Sequence, residues 1–196
     1  LEARSNYVDK VLSFVDLSKF TTKKLLVNCG NGTAGPTFDA IADKLALETK
    51  VLKITRMFHE LDSSFPNGIP NPLLEENRPV TKKSVLISES DLGIAFDGDF
   101  DRCFFFDDCG EFVSGEYIVG LLAEFFLNKE RNAKIVHDPR LILNTTDVIL
   151  SNGGVPVKSK TGHAFLKQAM RQTNAIYGGE ISAHHYFRDF SFCDSG

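Results

Sequence analysis

The sequence predicts an α/β fold made of two consecutive units. Short apolar runs, typical of buried strands, alternate with longer amphipathic runs that are typical of helices. This alternation stops at a turn at residues 108–111 and then starts again, although the halves show no close sequence repeat. A length of 196 residues suits two domains of roughly 100 residues each. We therefore expect one domain over residues 1–110 and a second over residues 111–196.

The first half is interpreted as helices and strands in alternation. Apolar residues recur at helical spacing in residues 7–17 and after Pro36, which suits the first turn of a helix. Prolines and turn residues predict a loop at 64–72. Residues 73–88 favour a helix by length and charge, although 84–87 alone would suit a strand. The predicted strands are 24–28, 50–55, 92–96 and 103–107.

The second half repeats this architecture. A strongly apolar helix is predicted at residues 115–129, and two amphipathic helices follow it along the chain. Short apolar runs separate these helices and predict the strands of a second sheet. The further helices are 141–150 and 163–171, and the strands are 133–137, 155–159 and 175–181.

Composition excludes several classes of protein. Hydrophobic residues (42%) and charged residues (24%) occur in globular rather than disordered proportions. A net charge of −4 argues against binding to nucleic acid or a membrane surface, and no apolar run approaches the roughly 20 residues that span a bilayer. None of the four cysteines has zinc-finger spacing. We expect reduced thiols, with Cys29 and Cys103 buried, and a cytoplasmic protein.

Three aspartates, Asp97, Asp99 and Asp101, alternate directly after the apolar run 92–96. In a tight loop their side chains can converge, and three adjacent carboxylates repel one another. A divalent cation removes that repulsion, and all-oxygen ligation suits Mg²⁺ with positions left open for a phosphate oxygen. The alternative interpretation is a solvated acidic turn.

Two other kinds of site use aspartates at this spacing. An EF-hand requires glycine at the sixth loop position, where this chain has Arg102, and a helix where this chain has an apolar strand. A haloacid-dehalogenase-type phosphatase has threonine at the fifth position, where this chain has Asp101. The phosphatase stays open as an alternative.

A second polar segment, residues 177–187, ends a predicted strand with two glycines. Glu180 and Ser182 are expected to share a strand face and to hydrogen-bond one polyol. His184 continues this alternation and could transfer a proton near neutral pH. Taken alone, adjacent histidines in a loop are also common as structural or solvated groups.

Together these segments resemble the α-D-phosphohexomutases, the phosphomannomutase and phosphoglucomutase superfamily. Residues 97–102 resemble the family's magnesium loop, with Phe100 in place of the usual glycine, and residues 179–184 resemble its sugar-binding loop. Residues 160–163 match a further family motif. The resemblance covers nearly the whole chain and is most similar to bacterial phosphomannomutases. It implies two mixed-sheet domains, the second and most of the third of a four-domain enzyme.

The resemblance also implies an activity, the reversible conversion of mannose 6-phosphate to mannose 1-phosphate through a phosphoserine and a bisphosphorylated sugar. It implies Mg²⁺ on the three aspartates and sugar hydroxyls held by Glu180 and Ser182. Phosphate contact, charge neutralisation or proton transfer is implied for a set of basic side chains. These are Arg102, Arg140, Lys160, His163 and His184.

The family's serine loop and its final phosphate-binding loop have no match in this sequence. Because the chain begins with Leu1 and ends at Gly196 without a closing element, we expect an excerpt that lacks the first and fourth domains and is inactive alone. Phosphoglucomutase activity and a non-catalytic sugar-phosphate-binding module stay open as alternatives.

Overall fold

The computed structural model describes residues 2–19, 21–49, 51–141 and 143–196. The chain divides into two compact units. The first comprises Leu1–Phe100 with Phe105–Phe112, and the second comprises Asp101–Phe104 with Val113–Gly196. Two five-stranded sheets with helices between their strands confirm the predicted α/β class.

The first sheet lies in the N-terminal half of the chain. Its strands are β1 (Lys23–Asn28), β2 (Leu52–Met57), β3 (Leu92–Phe96), β4 (Cys103–Phe106) and β5 (Phe112–Val113). They lie in the order β2-β1-β3-β4-β5. β1 pairs in parallel with both β2 and β3, so the segments after β1 and β3 leave the sheet at the same edge.

Three helices belong to this half of the chain: α1 (Glu2–Leu12), α2 (Ala34–Glu48) and α3 (Arg78–Ser88). Pro36 lies in the first turn of α2, as predicted, because its fixed φ suits a helix start and its missing N–H has no intrahelical partner there. Val27 of β1 and Val85 of α3 are fully buried, so the core of this unit extends between β1 and α3.

The second sheet has the order β10-β9-β8-β6-β7, where the labels follow the chain. Its strands are β6 (Lys134–His137), β7 (Val155–Lys158), β8 (Tyr177–Gly179), β9 (His185–Phe187) and β10 (Cys193–Asp194). β6 is parallel to β7 and β8, whereas β9 is antiparallel to both β8 and β10. The sheet is therefore mixed, as the family resemblance implied.

The helices of the second unit are α4 (Gly115–Lys129), α5 (Leu143–Ser151) and α6 (His163–Thr173). The bounds of α4 agree with the sequence prediction because its apolar run is long. Val119, Leu127, Ile135 and Tyr177 are almost completely buried in one core cluster. This cluster fixes the edge of the sheet from which the polar segments after β6 and β8 emerge.

The structure corrects three predictions of local structure. The first helix lies at Glu2–Leu12 rather than 7–17, since Val15 is exposed and follows the helix. The strand predicted at 175–181 ends at Gly179. Strands β9 and β10 were not predicted, because two or three residues carry no measurable period. Lys50 and Ile142, within a predicted strand and a predicted helix, lie outside the described residues.

Two smaller expectations can also be compared with the structure. Cys29 and Cys103 are buried, as predicted. Among the described residues no helix combines the length and apolar character that crossing a bilayer requires.

Candidate functional site

The first polar loop follows β3 and contains the three alternating aspartates. Asp97 is 1% exposed, Asp101 is partly exposed and Asp99 is exposed. Despite these different environments, one carboxylate oxygen of each residue lies within 4.8 Å of the others. Three carboxylates at this spacing form an all-oxygen donor set that suits a hard divalent cation such as Mg²⁺.

The backbone around Gly98 holds this loop in place. The Thr33 N–H donates to the Gly98 carbonyl at 3.0 Å, and the Thr33 hydroxyl lies 3.3 Å from the same oxygen. A Cβ on Gly32 would lie 2.6 Å from that carbonyl oxygen, so only glycine fits there. The turn after β1 is therefore a tight support for the aspartate loop.

Phe100, at the position where the related family usually has glycine, adopts a left-handed backbone with φ 69°. This conformation costs a residue with a side chain roughly 1–2 kcal/mol. The ring packs edge-on against Phe96, with 4.8 Å between the ring centres. This aromatic contact offsets part of the cost and keeps the side chain beside the strand that leads into the loop.

The second polar loop, residues 180–184, connects β8 to β9 as a turn and not as a strand. The expected strand alternation of Glu180, Ser182 and His184 is therefore wrong. Their side chains are nevertheless brought together, because Ala183 adopts φ 70° and reverses the chain. The Ser182 hydroxyl donates to Glu180 Oε2 at 2.9 Å and lies 3.0 Å from His184 Nδ1.

Glu180 is the most buried member of this cluster, at 3% exposure. Its Oε1 accepts the Gly162 N–H at 3.1 Å, at the start of α6. Burial raises the pKa of the Glu180 carboxyl, but hydrogen bonds from His184, Ser182 and the Gly162 N–H outweigh burial and leave the pKa below its ordinary value. The side chain is thus a fixed, ionised acceptor.

His184 lies between two acidic groups. Its Nδ1 is 3.4 Å from Glu180 Oε2, and its Nε2 is 3.5 Å from Asp101 Oδ2. Burial lowers the pKa of His184, but the hydrogen bond to Glu180 and the charges of Asp101 and Glu180 outweigh it and raise the pKa above its ordinary value. An isolated β-bridge joins His184 to Arg102, next to Asp101 in the chain.

Arg140 follows β6, and its position is explained by Asp138. The Asp138 side chain is fully buried, and both of its oxygens accept hydrogen bonds from the half-exposed Arg140 guanidinium. Burial raises the pKa of Asp138, but these hydrogen bonds lower it more. Because β6 pairs with β8 in parallel, Asp138 and Glu180 leave the sheet side by side.

Lys160 and His163 lie at the start of α6 and are both exposed. The Lys160 ammonium is 5.5 Å from the centre of the Phe165 ring. Among the described residues, neither side chain forms a hydrogen bond or ion pair within the protein. Both are accordingly free to bind an anion from solution, but the structure does not place them in the Glu180 cluster.

Sequence reasoning missed three residues beside these groups: Asp138, Tyr186 and Asp194. Asp138 was visible as the residue after a buried strand but was not assigned a role. Tyr186 and Asp194 lie on β9 and β10, whose brevity hides them in the sequence.

Comparison with known proteins assigns both halves of the chain to one protein family. The family model for phosphoglucomutase/phosphomannomutase alpha/beta/alpha domain II matches residues 5–110, and the model for domain III matches residues 114–196. A phosphomannomutase of Vibrio cholerae is 57% identical over 190 residues, which are 97% of this chain and 41% of that protein. The chain thus spans about two fifths of the length of the curated relatives it matches.

Solved structures of the same superfamily share the fold. A phosphoglucomutase/phosphomannomutase family protein from Burkholderia thailandensis has a TM-score of 0.88 and 29% identity, covering 98% of this chain and 40% of its own. N-acetylphosphoglucosamine mutase from Aspergillus fumigatus, solved with GlcNAc-6P and magnesium, has a TM-score of 0.72 and 20% identity over 93% of this chain and 40% of its own.

Proposed function

The chain belongs to the phosphoglucomutase/phosphomannomutase family, and we propose that it supplies the metal-binding and sugar-binding loops of a phosphomannomutase. The reaction is the exchange of phosphate between O6 and O1 of mannose. The relatives named phosphomannomutase, at 53–58% identity, support this substrate over glucose.

One observation carries the proposal, namely the cluster of Glu180, Ser182 and His184. Glu180 offers a buried, ionised acceptor, and Ser182 offers a hydroxyl that can both donate and accept. Adjacent hydroxyls of a hexose present the complementary donors and acceptors at hydrogen-bond spacing. The cluster therefore suits a sugar that must be held in two orientations, once for each phosphate.

His184 can exchange a proton with a sugar hydroxyl or contact phosphate, since its side chain is partly exposed and its neighbours favour the imidazolium. Arg102 and Arg140 stabilise the negative charge that develops on the transferred phosphoryl group. Lys160 and His163, exposed at the start of α6, contact the phosphate that is not being transferred.

Asp97, Asp99 and Asp101 are the proposed ligands of Mg²⁺, and their converging oxygens fit that ion. A cation held by these aspartates would polarise an oxygen of the phosphoryl group that is transferred. The magnesium reported with the Aspergillus fumigatus mutase supports this choice for the family. The cytoplasmic location and the missing first and fourth domains stay predictions.

The test is a chimera in which this chain replaces the aligned 190 residues of the Vibrio cholerae phosphomannomutase. We expect Mg²⁺-dependent formation of mannose 1-phosphate from mannose 6-phosphate, and faster turnover with mannose than with glucose phosphates. The 196-residue chain alone should show no turnover.

Other outcomes contradict the proposal in distinguishable ways. Faster turnover of glucose phosphates indicates a phosphoglucomutase. Release of inorganic phosphate by the chain alone indicates a haloacid-dehalogenase-like phosphatase. A folded chimera that binds mannose 6-phosphate without converting it indicates a binding module.

A further inference from the structure

Tyr186 lies directly behind His184. The two rings are nearly parallel, with an interplanar angle of 15° and 6.3 Å between their centres. Tyr186 is fully buried on β9 and packs in a core cluster with Leu166 and Met170 of α6. A ring fixed on several sides can restrict the rotamer of a more mobile neighbour, and His184 is the partly exposed member of this pair.

A charge pair lies against the same tyrosine. Lys167 Nζ is 5.5 Å from the centre of the Tyr186 ring and 2.7 Å from Asp194 Oδ1. Asp194 is the cross-strand neighbour of Tyr186 in the β9–β10 pairing. The Lys167 and Asp194 side chains are only 20% and 13% exposed, so solvent screens this pair less than a surface ion pair.

Asp194 also lies close to residues of both functional loops. One of its oxygens lies within 4.8 Å of ligand atoms of both His184 and Asp101. Tyr186 and Asp194 therefore both lie beside the His184 imidazole, and Lys167 contacts both of them, so all three can influence the direction in which the imidazole points.

The Tyr186 hydroxyl lies near Glu180 but makes no hydrogen bond of acceptable geometry to any described residue. Burial raises the pKa of this hydroxyl, and the charges of Glu180, Asp194 and Asp101 raise it further, so it stays protonated. A hydroxyl without a well-formed hydrogen bond contributes little stabilisation, so its removal should cost less than removal of the ring that packs beside His184.

We propose that Tyr186, held by the Lys167–Asp194 ion pair, is a positioning residue that fixes the His184 imidazole for its part in the reaction. This inference rests on the proposed function, because it assumes that His184 acts on the sugar phosphate. It assigns no contact with substrate to Tyr186 itself.

The experiment compares Tyr186→Leu, Tyr186→Phe and Lys167→Met in the chimera. Removing the ring should lower kcat about 100-fold with little change in KM, since misplacing a reacting group affects the chemical step. Tyr186→Phe keeps the ring and should retain kcat within about twofold. Lys167→Met should lower kcat about fivefold by loosening the ring.

A spectroscopic measurement on the 196-residue chain provides a second, activity-independent result. The ring-proton resonances of His184 should move in Tyr186→Leu and stay in place in Tyr186→Phe, because the neighbouring ring current is lost only in the first. Tyr177→Phe is the matched control: its hydroxyl is 2.7 Å from His185 Nδ1, so stability should fall while the His184 signals and kcat persist.

Equal losses of kcat in Tyr186→Phe and Tyr186→Leu would overturn the proposal, as would unchanged His184 resonances in a folded Tyr186→Leu protein. If Tyr186→Leu does not fold, the Lys167→Met variant is the test of the proposal. Normal kcat and normal His184 signals in that variant also contradict the proposal. An inactive parent chimera refutes the proposed function, and the resonances of the chain then decide the positioning of His184 separately.

Discussion

The aspartate loop (residues 97–102) and the sugar loop (residues 180–184) are organised in opposite ways. The aspartate loop is held from outside, by a hydrogen bond from Thr33 and by the close backbone approach of Gly32, and its three carboxylates converge. The sugar loop is held from inside, by hydrogen bonds among its own side chains. The first arrangement suits an ion that neutralises charge, and the second suits a ligand with hydroxyl groups.

The two loops also share a feature, since each contains one residue other than glycine in the left-handed region. Phe100 has φ 69° and Ala183 has φ 70°. Phe100 gains a ring contact with Phe96, whereas Ala183 has only a methyl group, buried at 4% exposure. The same backbone requirement is thus met with a large side chain in one loop and a small one in the other.

The largest expected effect comes from breaking the internal network of the sugar loop. Glu180→Gln keeps the shape of the side chain but replaces an ionised acceptor of three groups with a neutral amide. We expect kcat/KM of the chimera for mannose 6-phosphate to fall about 100-fold or more, measured by steady-state kinetics. Glu130→Gln, an exposed residue paired with Arg188, is the control and should leave kcat/KM unchanged. A loss below fivefold in Glu180→Gln contradicts the assigned role.

The second effect concerns cation binding in the aspartate loop. Asp99→Asn removes one exposed carboxylate, so Mg²⁺ affinity should fall about tenfold or more, measured by titration calorimetry on the 196-residue chain. The melting temperature without Mg²⁺ should stay the same or rise, because repulsion among the carboxylates decreases. Asp108→Asn, in an exposed acidic turn, is the matched control. Equal affinities in both variants would exclude the loop as the site.

The third effect separates the two left-handed residues. Ala183→Gly should stabilise the chain by up to about 1 kcal/mol, since glycine adopts this backbone without strain. Phe100→Gly gains the same relief but loses the aromatic contact with Phe96, which contributes about 0.5–1.5 kcal/mol, so its stability should stay within about 0.5 kcal/mol of the parent. Urea denaturation of both variants measures the difference, and a stabilisation by Phe100→Gly as large as that by Ala183→Gly would show that the ring contact adds nothing.

The smallest effect is a pH dependence of stability from Glu180. Its pKa is lower in the folded protein than its ordinary value of 4.5, so the folded state binds fewer protons than the unfolded state. The contribution of the ionised Glu180 carboxylate to the free energy of unfolding is therefore present above about pH 4.5 and is lost as pH falls through the folded pKa. The free energy of unfolding of the parent should approach that of Glu180→Gln on acidification, and a constant difference down to pH 2 would contradict this.

Much of the fold could be predicted from the sequence because most strands and helices have long, regular apolar periods. The bounds of α4 and β3 were predicted to the residue. The first helix was misplaced because Val15 continues the apolar spacing of Val11 and Leu12 beyond the point where the helix ends. β9 and β10 were missed because strands of two or three residues depend on pairing with neighbours rather than on their own pattern.

The functional residues could be predicted from the sequence less completely than the helices and strands. Spacing alone grouped the aspartates, since the loop is short. Glu180, Ser182 and His184 were identified correctly as neighbours but through a strand alternation that does not exist, and the turn at Ala183 joins them instead. Asp194 acts through a tertiary neighbour, Lys167, and no local pattern reveals such a pair, whereas Asp138 pairs with Arg140 only two residues along the chain.

The edge-on contact between Phe100 and Phe96 has a practical consequence for observing the chain. The sequence contains no tryptophan, so an indole introduced as Phe100→Trp would be its sole source of tryptophan fluorescence. That fluorophore would sit between two aspartates of the loop, at a backbone already adapted to a bulky aromatic side chain. Its emission would report cation arrival optically, in real time and without any coupled enzyme or substrate.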